Sequence, residues 1–212
     1  MAKRFAMACF VVFCASWSCG GETEGSGGST PAPTPIPLQN MPTELARVSC
    51  AKIYECCTQA ERMQNPFLGS TEQDCAVTLA AFTTLIVPIT QESITAGRVV
   101  YQGDVLASCL AQYSSLTCAD AKSGAPSLEP TCSNFLLPQV AWGGTCEQDF
   151  ECINGYCEQP SSSTPGQCQA MKPDGAGCSA DSECTSDNCD FNGTCQPKPP
   201  PTATGSSFCG GM

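Results

Sequence analysis

Two stretches of this chain, CEQDFECINGYC at residues 146–157 and CSADSECTSDNC at residues 178–189, share one cysteine spacing. Asp-x-Glu-Cys recurs inside both. The first copy continues as C-x5-C-x4-C-x10-C to Cys168, and the second as C-x5-C-x4-C-x5-C to Cys195. Each copy is preceded by two glycines within three residues and ends in Gly-x-Cys-Gln. Agreement of spacing and flanks predicts a tandem repeat covering residues 146–168 and 178–195.

The repeats are predicted to be a scaffold held by sulfur. Residues 141–197 contain eight cysteines but few large apolar side chains, namely Trp142, Phe150, Ile153, Tyr156, Met171 and Phe191. So few cannot drive the folding of a segment of this length. Four bridges at roughly 2–4 kcal/mol each would supply the missing stability.

Composition indicates export into an oxidising compartment. The 212 residues include 19 Cys and no His, and the net charge is −11. This cysteine content is typical of disulfide frameworks outside the cytosol. The negative charge argues against nucleic acid as a partner and against docking on anionic lipid.

Residues 1–18 fit a signal peptide, with Lys3 and Arg4 ahead of an apolar run at residues 5–15 that is too short to span a bilayer. Ser16 and Ser18 precede Cys19, the residue that a bacterial lipoprotein signal would acylate. Cleavage of the same bond by an ordinary signal peptidase, without lipid, is the alternative. We therefore expect an exported protein that is anchored in an outer membrane or extracellular.

Cysteine parity favours lipidation. Cys9 and Cys14 leave with the signal, and the count becomes even only if Cys19 carries lipid. The remainder are predicted to form disulfides: Cys50, Cys56, Cys57, Cys75, Cys109, Cys118, Cys132, Cys146, Cys152, Cys157, Cys168, Cys178, Cys184, Cys189, Cys195 and Cys209. Seven of them precede the repeats, so Cys209 is predicted to bridge back to that part, unless bridges cross between the parts.

Residues 19–41 are rich in Gly, Ser, Thr and Pro and are predicted to be a tether with a reach on the order of 40–60 Å. Residues 42–137 are predicted to form a helical, disulfide-linked domain. The tail at residues 198–212 is expected to be poorly ordered until Cys209 holds it.

The helical pattern has recognisable start signals. A first helix over residues 42–63 has Thr43 as its N-cap, and a second begins with Ser70 and Gln73 in capping-box spacing. Pro88 should stop that helix, a short β-like run follows within residues 96–104, and Asp104 should cap a third helix.

Several chemistries are excluded or disfavoured. Without His there is no His-based triad or imidazole metal ligand, and without C-x-x-C spacing there is no zinc knuckle or thioredoxin-like centre. A vicinal redox pair at Cys56 and Cys57 is an alternative to two structural bridges. We expect no catalytic residues, no metal site and no cofactor.

The repeated carboxylates allow two interpretations. Asp149, Glu151, Asp181 and Glu183 can bind calcium, or they can accept backbone N–H bonds that shape the turns, which we favour. The NCDFNG stretch at residues 188–193 has EF-hand-like oxygens but lacks the closing Glu, so a tight turn at Asn192 and Gly193 is preferred.

The predicted fold class is therefore small and disulfide-rich: an α-helical N-terminal domain followed by a loop-rich, two-repeat cysteine-stapled module. The repeats resemble the Dickkopf N-terminal cysteine-rich domain. The whole chain resembles the cysteine-rich secreted lipoproteins of the myxobacterial type, which often join a helical region containing GRVVY-like and SCL stretches to such repeats. Neither resemblance implies a known activity, and the ligand role of animal Dickkopf proteins is not carried over.

These patterns favour a non-enzymatic cell-surface lipoprotein that serves as a binding or structural module of the envelope. Its partner would be a protein or glycan at the cell surface, and it would touch the membrane only through its lipid. Phe150, Tyr156 and Phe191 are contact candidates, although packing against the disulfides would explain them equally well. A secreted protease inhibitor acting through residues 158–167 is one alternative, and a thiol-redox or His-free hydrolytic enzyme is another.

Overall fold

The computed structural model describes residues 33–123, 132, 134–159, 164–198 and 209. The predicted signal peptide, Cys19 and most of the predicted tether and tail lie outside the described residues. Helices occupy the N-terminal part: α1 (Met41–Cys56), α2 (Gln59–Arg62), α3 (Glu72–Thr84), α4 (Val87–Thr95), α5 (Gly103–Ser115) and α6 (Cys118–Ser123). The strands are β1 (Val99–Tyr101), β2 (Leu136–Pro138), β3 (Thr145–Cys146), β4 (Gly155–Glu158) and β5 (Gly166–Ala170).

The first predicted helix is in fact two helices. Asn40, not Thr43, precedes α1, and Pro42 stands in its first turn, where the absence of an N–H costs nothing. The helix ends at Cys56 because Cys57 is extended. Thr58 then accepts from the N–H of Glu61, whose carboxylate accepts from the N–H of Thr58, and this capping box starts α2.

The second helix begins with a different pair from the predicted one. Thr71 and Asp74 form the capping box of α3, while the Ser70 hydroxyl donates to the Asp74 carboxylate. These bonds hold the pKa of Asp74 below its usual range. Pro88 does not simply end the helix: α3 stops at Thr84, and Pro88 then lies in the first turn of α4.

The third helix starts one residue before the predicted cap. Gln102 precedes α5, and Asp104 lies inside the first turn. The positive end of the helix dipole stabilises a carboxylate at this place. The β-like run before it is confirmed as β1, which pairs antiparallel with β2. Leu106, Leu110 and Tyr113 lie in the helical core together with Met41 and Val48.

The stretch Glu72–Thr95, which comprises α3, α4 and the turn between them, is long and apolar enough to cross a membrane by length and composition. Most of it is not buried in the fold. A bridge from Cys75 to Cys50 nevertheless ties it to α1, and Ser93 near its end contacts the repeats. These contacts make it part of the folded helical region.

The strand-rich part contains the two repeats. In the first, β3, β5 and β4 form an antiparallel sheet in that order. The second repeat has isolated bridges instead of strands, but its backbone bonds match those of the first. Equivalent positions are 32 residues apart, except at the last Cys, where the longer loop of the first copy reduces the shift to 27. Thus Val140 N–H donates to the Glu151 carbonyl as Lys172 N–H donates to that of Glu183, and Cys168 pairs with Gly144 as Cys195 does with Ala176.

Eight disulfides join the described cysteines. In the helical part they are Cys50–Cys75, Cys56–Cys118 and Cys109–Cys132. Each repeat links its first Cys to its third and its second to its fourth, through Cys146–Cys157, Cys152–Cys168, Cys178–Cys189 and Cys184–Cys195. The last bridge, Cys57–Cys209, confirms the prediction that Cys209 returns to the helical part.

Candidate functional site

The repeated carboxylates shape turns, as the favoured interpretation predicted. Asp149 accepts the N–H of Cys157 at 2.8 Å, and Asp181 accepts the N–H of Cys189 at 2.6 Å. These two bonds stand at the same place in the two copies. Each carboxylate holds the N–H of the third Cys of its repeat, and the bridge to the first Cys closes the same loop.

Glu151 has a second role that the sequence did not reveal. Its side chain is fully buried, and Oε1 lies 2.5 Å from the Ser93 hydroxyl and 2.8 Å from Nε of Arg98. Its other oxygen accepts the N–H groups of Glu147 and Gln148. Glu151 therefore joins the first repeat to α4 and to the residue just before β1.

The environment of Glu151 stabilises its charged form. Burial alone would raise the pKa of this carboxyl, but the Ser93 hydroxyl, the Glu147 amide, the Arg98 guanidinium and the Gln148 amide together hold its pKa below the usual range. Arg98 gains in turn, because the hydrogen bond that it donates to Glu151 raises the pKa of its guanidinium. The group is thus a buried ion pair with its remaining acceptor positions filled.

Glu183 is the equivalent glutamate of the second repeat, and its cationic partner comes from the adjoining segment of chain. Lys172 Nζ lies 2.6 Å from Glu183 Oε2 and 5.2 Å from the centroid of the Tyr156 ring. Lys172 corresponds to Val140 of the first repeat, so the cation comes from the repeat itself and not from the helical part. Both partners retain some exposure, unlike Glu151.

The disulfides argue against metal binding by the clustered cysteines and against a redox pair at Cys56 and Cys57. Three groups of residues among those described have metal-like proximity, but every cysteine in them is oxidised in a bridge and offers no thiolate. Cys56 and Cys57 bridge to different partners, so they do not form a vicinal redox pair with each other.

The NCDFNG stretch forms a turn. Gly193 has a φ of 75° and its N–H donates to the Asp190 carbonyl, which supports the predicted tight turn. Asp190 organises it, because one carboxylate oxygen accepts the N–H groups of Asn192 and Thr194. The structuring role of Asp190 was missed, although an Asp two residues before Asn-Gly is a readable turn signal.

The aromatic contact candidates separate into different classes. Phe191, at the tip of the Asp190 turn, is 98% exposed, and Phe150 is half-buried. Tyr156 is buried beneath Lys172, so the interpretation of Tyr156 as a free contact residue is wrong. Trp142 was not among the contact candidates, although it is 76% exposed on the turn that precedes the first repeat.

The turn that presents Trp142 has a counterpart without an aromatic residue. Gly144 N–H donates to the Ala141 carbonyl with Gly143 at positive φ, and Ala176 N–H donates to the Pro173 carbonyl with Gly175 at positive φ. The position of Trp142 is occupied in the second copy by Asp174. Because the same turn forms with Asp, folding does not require the indole.

A shallow depression in the helical part is lined by Leu38, Gln39, Gln91, Ile94 and residues of β1, including Tyr101. No acidic or basic side chain of the described residues lines it, and the Tyr101 hydroxyl donates to the Ile36 carbonyl. Burial raises the pKa of Tyr101 to about 12. The depression therefore lacks the convergent polar groups of a ligand or catalytic pocket.

The fold and its bridges define a disulfide-rich protein with an N-terminal helical region and a small strand-rich C-terminal region. The number of bridges indicates an exported or extracellular protein. The chain matches no protein-family model, no curated protein and no solved structure.

Proposed function

We propose that this protein is a non-enzymatic lipoprotein of the cell surface whose stapled repeats bind a protein or glycan of the envelope. The observation that carries the proposal is the pair of exposed aromatic side chains, Trp142 and Phe191, on turns fixed by hydrogen bonds and disulfides. Rigid, exposed aromatic residues lose little entropy on binding and supply large contact areas.

Position-specific use of Trp142 supports a role in recognition. The second repeat builds the equivalent turn with Asp174, so the indole contributes nothing that the turn itself needs. An exposed Trp carries a solubility cost, and a binding role accounts for its presence. Phe191 stands on a turn held from both sides by Cys189 and Cys195.

The chemistry of the described residues favours binding over catalysis. The Ser93 hydroxyl contacts a carboxylate, but both groups are buried against Arg98 and cannot meet a substrate. The carboxylates of Asp149, Glu151 and Asp181 are committed to backbone N–H groups. The resemblance to cysteine-rich lipoproteins of the myxobacterial type supports the proposed location at the cell surface and implies no activity.

Recognition by the two aromatic residues is tested with variants matched to the fold. Trp142→Asp copies the turn of the second repeat, and Phe191→Ser removes the other ring. We expect either change to weaken retention of the partner from envelope extract about tenfold or more, since truncating an aromatic hot spot costs about 2 kcal/mol.

Val100→Ser serves as the control, because Val100 is an exposed apolar residue of β1, outside the repeats. It should leave retention unchanged. Equal recovery of the partner by the wild type and by the Trp142→Asp/Phe191→Ser double variant contradicts the proposal. Retention is quantified with the captured protein or glycan after purification, so that a nonspecific association is recognised by its failure to saturate.

Lipidation at Cys19 is tested by the intact mass of the native protein. We expect a chain that begins at Cys19, carries acyl groups and has lost two hydrogens for each of eight disulfides. A mass that fits a chain without lipid contradicts the anchor but leaves the binding proposal in place.

A further inference from the structure

The surface of α3 has an inverted polarity. The residues that α3 and α4 bury are Cys75, Thr83, Thr90 and Ser93. Beyond the polar first turn at residues 72–74, the exposed side carries Thr84 and five apolar residues, namely Phe67, which precedes α3, together with Val77, Ala81, Phe82 and Leu85; we call these five residues the α3 face.

The α3 face is continuous. Positions 77, 81 and 85 follow each other at helical spacing, and Phe82 lies beside them on the same side. The Phe82 ring packs edge to face on the Phe67 ring, with centroids 5.9 Å apart. Phe82 is still 52% exposed and Leu85 is 69% exposed, so this contact does not cover the face.

The buried side explains how the helix tolerates this arrangement. The Thr83 hydroxyl donates to the carbonyls of Leu79 and Ala80, so the hydroxyl is satisfied without water. Cys75 is bridged to Cys50 of α1. The disulfide ties α3 to α1, the intrahelical bonds satisfy the buried hydroxyl, and the side chains of the α3 face are left to solvent.

We propose that the α3 face rests on the lipid surface to which the chain is tethered, an inference that depends on the lipidation of Cys19 proposed above. This contact replaces the expectation from the sequence that the protein touches the membrane only through its lipid. The described chain begins at Pro33, 14 residues after Cys19. A segment of this length spans at most about 50 Å. The lipid anchor therefore keeps the α3 face at a high effective concentration next to the bilayer.

Charge selects neutral lipid in preference to a second copy of the chain. Residues 76–91 contain no Asp, Glu, Lys or Arg, so neither attraction nor repulsion by headgroups is built into the face. Two copies meeting face to face would each bring a net charge of −11 and repel each other. A neutral phospholipid surface accepts Phe and Leu side chains without that penalty.

The test places an indole on the α3 face of the full, lipidated chain. Trp142 is the only Trp that remains after signal cleavage, so Phe82→Trp is combined with Trp142→Phe. The protein is reconstituted into phosphatidylcholine vesicles with and without brominated acyl chains. The wild type, whose Trp142 lies on the turn before the first repeat, is the matched control.

We expect a blue-shifted emission from position 82 and about a twofold loss of intensity with brominated lipid, because an interfacial apolar face reaches about 5–10 Å into the boundary of headgroups and acyl chains. Added salt and anionic lipid should not enhance the quenching. Trp142 in the wild type should be unaffected by bromine.

Each other result overturns the inference in a recognisable way. A chain that floats with vesicles but shows no quenching at position 82 keeps its anchor and lacks lipid contact. If the emission from position 82 is not quenched by bromine, and its blue shift grows with the density of protein on the vesicle, then a second copy of the chain covers the α3 face. Equal quenching of both indoles indicates indiscriminate adsorption, and a chain that fails to float removes the anchor and this inference together.

Discussion

Reduction of the native protein should unfold the strand-rich region while α1 and α5 keep part of their protection from hydrogen exchange. The four bridges of the repeats close loops with sequence separations of 11, 16, 11 and 11 residues. Loop closure of this size is worth about 3 kcal/mol per bridge. Their sum, on the order of 10 kcal/mol, equals the stability of a typical whole domain.

The two regions differ in what remains without sulfur. The buried residues of the repeats are mainly the cysteines themselves, joined by Tyr156 and Glu151. The helical core contains Met41, Val48, Leu106 and Leu110, which continue to bury apolar area when the bridges open. The helices should therefore weaken, and the repeats should lose their structure.

Hydrogen exchange read by mass spectrometry checks this directly. The amides of Cys168 and Cys195, which donate to Gly144 and Ala176, should exchange at the rate of an unfolded chain in reductant. An oxidised sample handled identically is the control. Unchanged protection of residues 164–198 in strong reductant would contradict the scaffold interpretation.

A narrower version of this experiment removes one bridge at a time. Cys178→Ser/Cys189→Ser opens a bridge that lies wholly in the second repeat, and Cys146→Ser/Cys157→Ser opens its counterpart in the first. Protection should fall first in the repeat that is altered. The first repeat should retain more, because Glu151 also fixes it to Ser93 and Arg98.

The sequence was informative where spacing and counting carry physical meaning. The repeat was visible because the cysteine spacing and Asp-x-Glu are copied, and the return of Cys209 followed from parity. The connectivity within each repeat was not visible, because four cysteines permit three pairings and spacing does not choose among them. The hydrogen bonds of Asp149 and Asp181 now show why the first and third Cys meet.

The helix boundaries were missed for a local reason. The patterns Ser70 with Gln73 and Thr71 with Asp74 are offset by one residue, and only the structure shows that the Thr71 pair forms the capping box. Thr58 with Glu61 is also a capping-box pattern, and reading it would have ended the first helix correctly. The predicted first helix contained both Cys56 and Cys57, whereas the structure ends α1 at Cys56 and has Cys57 extended.

The ion pair of Glu151 was beyond sequence reasoning, because its partner Arg98 lies 53 residues away and nothing in the local pattern joins them. Asp149 and Glu151 look alike in the sequence as repeated acidic residues. Only the tertiary contact with α4 separates a turn-forming carboxylate from a buried one.

Replacing Glu151 with Ala should cost about 3 kcal/mol of unfolding free energy, because it leaves the Arg98 guanidinium largely buried without its main partner. This value is at the lower end of the range for breaking a buried ion pair. Arg98 keeps a second anionic neighbour, because its Nη2 lies 3.4 Å from a carboxylate oxygen of Glu147. Glu183→Ala is the matched control. The Lys172–Glu183 pair is partly exposed, so its loss should cost about 1 kcal/mol or less.

Denaturant unfolding of the oxidised protein measures both variants. The Arg98→Met/Glu151→Leu double variant should recover most of the loss, because apolar residues of similar volume often replace a buried ion pair without penalty. If Glu151→Ala and Glu183→Ala destabilise equally, or if the double variant is worse than Glu151→Ala, then the pair does not hold the first repeat on the helical region.

Acid titration supplies an independent measurement of the same contact. The pKa of Glu151 is lowered in the folded state, so its contribution is complete above the unfolded carboxyl pKa of about 4.3 and is lost as the pH falls through the lower folded value. Other carboxylates add to the acid response, among them Glu61, whose pKa its bonds to Thr58 and Lys122 lower to about 2. The difference between the wild type and Glu151→Gln isolates the buried group: it should be constant at neutral pH and shrink in acid. A difference that does not change with pH would mean that Glu151 acts through packing, and that its charge does not hold the two regions together.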